Sequence, residues 1–117
     1  MTRFRLSGPA QKDVANILAA SLERWGQSGR SRYASLLAAA IRAVGGEVGA
    51  RLSIGRSELL PDLRSFHIRH ARKGRGVRTP VHVIYYRSVK PDLIEIVRVL
   101  HERMDPNQHC QPDASGR

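Results

Sequence analysis

Seventeen arginines against three lysines (Lys12, Lys73, Lys90) dominate the reactive side chains of this 117-residue sequence. A guanidinium is planar, permanently charged and able to meet carboxylate or phosphate oxygens two at a time, so the chemistry it does best is anion recognition. Codon bias in a GC-rich genome leaves the same excess behind, and composition alone does not separate the two. Position says more. Arg64 and Arg98 fall inside segments that read as strands, where apolar or neutral residues are usual, so each needs solvent or an anion. An ion pair with Asp62, Asp92 or Glu95 would satisfy them internally. Otherwise they form an anion-binding surface for partner carboxylates or for phosphate.

The histidines are the next candidates. His101 directly follows the last strand-like run and could act as a general acid or base, although a capping or hydrogen-bonding role is commoner. His67 and His82 would face each other across paired strands if the segment between them folds symmetrically about Gly74 and Arg75, and a one-residue slip would separate them. His101, His109 and Cys110 match no standard zinc spacing, so no metal and no cofactor is expected. Arg72, Lys73, Arg75 and Arg78 lie in a Gly-rich run, residues 70–80, that reads as an exposed basic finger. It is either solvated or laid on phosphates. Aromatic residues make up 5% of the chain and none are interleaved, so single-strand recognition by stacking is not expected.

Elements that would position these residues follow from periodicity. Arg3-Phe4-Arg5-Leu6 alternates as a strand does, and Ser7-Gly8-Pro9 offers a cap and a first-turn proline for a helix. Val14, Ile17, Leu18, Leu22 and Trp25 form one apolar stripe at helical spacing; Gly26 to Gly29 interrupts it. Tyr33, Leu36, Leu37, Ala40, Ile41 and Val44 form a second stripe that stops at Gly45-Gly46, which predicts an antiparallel α-hairpin. Residues 47–61 read as a loop, and 63–69, 81–87 and 93–100 as strands. The fold class is α+β, an N-terminal strand and α-hairpin packed on a small antiparallel sheet whose other face stays partly open. One domain over 1–105 is expected, with 106–117 a flexible tail.

The formal charge of +10 calls for an acidic partner. Between Asp62 and Asp92 there are eight cations and no acid. A single cysteine excludes an internal disulfide framework, and no run resembles a signal peptide or membrane span, so a cytoplasmic protein is expected.

Ile96-Val97-Arg98-Val99-Leu100-His101-Glu102-Arg103-Met104-Asp105 resembles the closing "I-x-R-V-L-H-x-x-M-D" run of ParE toxins. Phe4-Arg5-Leu6-Ser7 with Ala10 and Asp13 resembles the opening of that family, Arg24-Trp25-Gly26 its helix corner, Leu63-Arg64-Ser65 its "G-L-R" strand, and His82 to Arg87 its "H-x-I-x-Y-R" strand. Five such pieces in order, over about residues 4–105, identify the chain as similar to the RelE/ParE toxin superfamily, nearest the ParE branch. The longer finger over 70–78 and the segment after Asp105 depart from its usual pattern.

The resemblance implies the toxin of a type II toxin–antitoxin system that poisons DNA gyrase and is neutralised by a ParD-like antitoxin whose C-terminal segment mixes acidic and apolar residues. Arg64, Arg69, Arg87, Arg98, His101, Arg103, Met104 and Asp105 are the implied target- or antitoxin-binding residues. Direct nucleic-acid binding is compatible but not required. The alternative on the same fold is a ribosome-dependent mRNA endonuclease of the RelE type, for which Arg64, Arg98, His101 and Arg103 would be the catalytic candidates.

Overall fold

The computed structural model describes residues 2–110. Strand β1 (Arg3–Leu6) leads into α1 (Gly8–Val44), where Ser7 Oγ accepts the Ala10 amide at 3.1 Å and Pro9 sits in the first turn, the N-terminal chemistry anticipated above. A straight helix of this length would run about 55 Å, beyond the 38 Å longest dimension of the molecule. The chain bends at Gly26, whose φ of 73° and ψ of −175° are open essentially to glycine alone. The break is one residue long; Gln27 to Gly29, expected to be part of the corner, are helical.

Both arms of α1 cover one sheet face. Ala10, Leu36, Leu37, Ala40 and Val44 pack with Phe66, Ile84, Tyr86, Ile96 and Val99, and Val14, Ile17 and Leu18 join from the first arm. The first stripe ends sooner than its period implies: Leu22 and Trp25 are 43% and 56% exposed. Replacing Gly26 by alanine is expected to cost about 1–3 kcal/mol, because a Cβ is strained at this backbone geometry. The control is Gly8→Ala, where a Cβ meets open space. Equal urea midpoints for the two variants would contradict this account of the bend.

Residues 47–61 are not a plain loop. They form α2 (Glu47–Leu52) and the two-residue β2 (Ile54–Gly55). Gly49 lets α2 approach so closely that a Cβ there would stand 2.5 Å from Val44 Cα. Strand β3 (Arg64–His67) is shorter than expected, because a 3-10 turn (Ile68–Ala71) follows and carries Arg69 out of the sheet. Strands β4 (His82–Lys90) and β5 (Leu93–His101) complete the order β1-β5-β4-β3-β2.

The α+β class stands, but the sheet is mixed rather than antiparallel: β1 pairs in parallel with β5, Arg3 beside Leu93 and Leu6 beside Ile96. The opposite face, expected to be partly open, carries a second apolar cluster of Leu63, Tyr85, Leu100 and Cys110, flanked by Leu59, Leu60, Val83 and Val97. Part of the expected tail builds it: α3 (Pro106–His109) follows Asp105, and Cys110 is 1% exposed. The remainder of that tail, 111–117, lies outside the described residues. No helix among the described residues is long and apolar enough to cross a membrane.

Candidate functional site

The arginines singled out by position are mostly engaged within the fold. β1 accompanies β5 only as far as Ile96, and α1 then passes along the edge it leaves unpaired. Ser7 and Asp13 finish that edge: Ser7 N–H donates to Ile96 O, Ser7 Oγ–H to Val97 O, and Val99 N–H to Asp13 Oδ2 at 3.0 Å. Arg98 meets the same carboxylate with both branches of its fork, at 2.7 and 2.8 Å, and donates to His109 O from its third nitrogen. Its side chain is 21% exposed and that of Asp13 is 13% exposed, so the pair is largely desolvated. Hydrogen bonding to Asp13 holds the Arg98 guanidinium above its ordinary pKa.

The internal partner of Arg98 is therefore Asp13, not Asp62, Asp92 or Glu95. Arg64 has no carboxylate partner among the described residues; it donates to Ser53 Oγ at 2.8 Å and to Ser53 O at 3.1 Å. Arg87 is paired with Glu95, which Arg5 also reaches. Asp105 caps α3 by accepting the Asn107 amide. Of the expected contact set, Arg69, Arg87, Arg103, Met104 and Asp105 are exposed, and among the described residues the side chains of Arg69 and Arg103 have no carboxylate partner.

The basic finger folds back instead of projecting. Gly76 approaches Arg32 so closely that a Cβ would lie 2.7 Å from Arg32 Cδ, Val77 packs against the core, and Arg72 donates to Arg78 O. Arg75 is half-buried and turned toward Ser35, while Arg72, Lys73 and Arg78 remain exposed.

Between this finger, the bend of α1 and the ends of β4 and β5 lies a cleft of about 650 Å³. The register that sequence symmetry suggested does not hold: His67 pairs with Val83, and the partner of His82 is His101. The His82 and His101 rings stand edge to face with centroids 5.7 Å apart. Tyr33, from the second arm of α1, accepts the Val81 amide, and its hydroxyl is hydrogen-bonded to His82 Nδ1. Burial, then the neighbouring His101 and His67, push His82 down to about 4, so near neutral pH it is uncharged. His101 Nδ1 accepts the Arg103 amide.

His67 makes a different pair outside the cleft. Its Nδ1 accepts the Arg69 amide, so Nε2 carries the proton and donates to Glu102 Oε1 at 2.7 Å. That hydrogen bond holds the Glu102 carboxyl below its usual range. Cys110 offers no nucleophile, since burial pushes its thiol up to about 11. His101, His109 and Cys110 do not gather into a ligand set among the described residues. Trp25, Tyr33, Arg24 and Arg32 were not among the sequence-derived site residues. Only Arg24-Trp25-Gly26, quoted for the helix corner, pointed there.

Comparison with known proteins places this geometry in context. The model of the ParE toxin of type II toxin–antitoxin systems, parDE, matches residues 4–106. Toxin ParE1 of Mycobacterium tuberculosis, from strains CDC 1551 / Oshkosh and ATCC 25618 / H37Rv alike, is 29% identical over 110 residues, covering 92% of this chain and 97% of the relative. A solved structure of the chromosomal ParDE system from P. aeruginosa shares the fold at a TM-score of 0.62 and 16% identity, over 86% of this chain and 96% of the other.

Proposed function

Because the chain belongs to the ParE toxin family of type II toxin–antitoxin systems, we propose that it arrests growth by binding and poisoning DNA gyrase, and that a ParD-like antitoxin neutralises it. The observation that carries the non-catalytic half of this reading is the commitment of two of the three candidate catalytic arginines. A ribonuclease needs free guanidinium groups to meet the charge of a phosphoryl transition state. Of the catalytic candidates, Arg98 is held by Asp13 and Arg64 by Ser53, which leaves Arg103 as the one exposed guanidinium of that set without a carboxylate partner among the described residues. Contact with partners then falls to exposed groups such as Arg69, Arg103 and Met104, with the net charge of +10 steering encounter with acidic surfaces. Gyrase acts on the chromosome, so this reading places the toxin in the cytoplasm.

The expected result is loss of DNA supercoiling by purified gyrase and accumulation of cleaved DNA when the chain is added, both reversed by its antitoxin. Translating ribosomes treated with the same preparation should keep their mRNA intact. Unaffected gyrase together with cleaved mRNA would overturn the proposal in favour of the RelE-type alternative.

A further inference from the structure

The cleft at the bend of α1, which shares His101 and Met104 with the expected contact set, gathers cationic and aromatic groups that lie outside that set. Its walls include three arginines, Arg24, Arg32 and Arg78, and no acidic side chain. No carboxylate pairs with any of the three among the described residues. Beside them stands an aromatic group that sequence order had scattered: Trp25 is 56% exposed, and Tyr33 lies behind it with ring centroids 6.5 Å apart at 28°. The remaining lining is mixed, with aliphatic side chains such as Ile17 and Val77 beside polar ones that include His82 and His101.

We propose that this cleft binds a nucleotide unit, its base against the Trp25 side and its phosphate among Arg24, Arg32 and Arg78. A nucleotide is a compact ligand that combines a flat apolar face with a multivalent anion, and a cleft of about 650 Å³ is of the size that encloses small ligands. Aromatic contact with a base and guanidinium contact with its phosphate are the two terms that hold single nucleotides and unpaired strands. An acidic peptide would use the arginines but leaves the aromatic wall without a matching flat face. The nucleotide comes either free or as part of a single strand.

Trp25 is the sole tryptophan of the chain, so its fluorescence reports on this cleft alone. The full chain is titrated separately with adenosine monophosphate, a short single-stranded DNA and a Glu-rich peptide, with correction for ligand absorbance. A saturable quench by the monophosphate identifies a free-nucleotide site, and one by the oligonucleotide alone identifies a strand site; either supports the proposal. The double variant Arg24→Gln/Arg78→Gln, altered only at exposed positions, should bind about tenfold more weakly or worse, and salt should weaken wild-type binding of the oligonucleotide by a log–log slope of about −0.7 per phosphate held. Circular dichroism confirms that the variant is folded, and Arg78→Gln alone serves if the double variant is not. Quenching by the peptide only, by none of the three, or equally in wild type and variant overturns the proposal.

Discussion

Replacing Arg98 by alanine lowers the stability of the protein by about 3 kcal/mol, the range found when one member of a desolvated ion pair is removed. The loss arises chiefly from what remains. Asp13 keeps its charge and the Val99 amide but loses both guanidinium bonds, and His109 O loses its donor. Because His109 ends α3, the damage extends to the second apolar cluster through Cys110. Arg98→Lys should recover only part of the stability, since an ammonium cannot meet two carboxylate oxygens and a carbonyl in this geometry. Asp13→Asn combined with Arg98→Leu should cost less than the sum of the single changes. Urea denaturation of Arg98→Ala, Arg98→Lys, the double variant and its two component single variants tests this. If Arg98→Ala unfolds at the wild-type midpoint yet loses antitoxin affinity, Arg98 is a contact residue and the structural account fails. An affinity measurement on Arg98→Ala means little until its stability is known.

Acidification provides the second large effect. His82 has an ordinary value of 6.5 and is pushed down to about 4 in the fold, first by burial and then by His101 and His67, with Glu102 and Asp13 opposing. Its folded pKa lies below its unfolded pKa, so as pH falls the unfolded chain takes up the proton first. Stability is flat above about pH 7.5, declines between 6.5 and 4, and levels off below, a total loss of up to about 3 kcal/mol at 1.4 kcal/mol per unit. Glu102 and Glu58 lie below their ordinary 4.5, so their contributions fade only at more acid pH. His70 is lowered too, by burial first, and acts in the same sense as His82. The difference between wild type and His82→Asn isolates His82, because an asparagine side chain can still hydrogen-bond with the Tyr33 hydroxyl. Chemical denaturation at a series of pH values should show the stability of wild type relative to His82→Asn falling by up to about 3 kcal/mol from pH 6.5 toward 4. A difference that stays constant over that window would show that His82 is not held neutral by the fold.

Local chemistry decided a good part of this protein from sequence alone. Ser7 and Pro9 start α1, alternation in Arg3–Leu6 and β-branched density in β4 and β5 make strands, and stripes at helical period supply both arms. Each is a property of neighbours within a few positions, where backbone preference and one buried face suffice. The five ordered motifs likewise fixed the family, since they are strings of adjacent residues. Gly26 was readable as an interruption because only glycine tolerates its backbone angles.

Whatever joined distant segments was decided by packing. Alternation in β1 marks a strand but not its direction, so parallel pairing with β5 had no local signal. Register across the 70–80 segment depended on how that segment packs on Arg32 and Ser35, and a shift of one residue put Val83 rather than His82 opposite His67, while His82 faces His101 through the separate pairing of β4 with β5. Arg98 carries a visible charge, but its partner lies 85 positions away. The sequence therefore determined that this chain is an arginine-rich α+β domain with cations on its strands. Only the tertiary structure decided which cations a carboxylate neutralises, as Asp13 does Arg98, and which, like Arg24 over the Trp25 ring and Arg32 beside Ser28, meet none among the described residues, because a carboxylate neutralises a guanidinium only across a distance that folding sets.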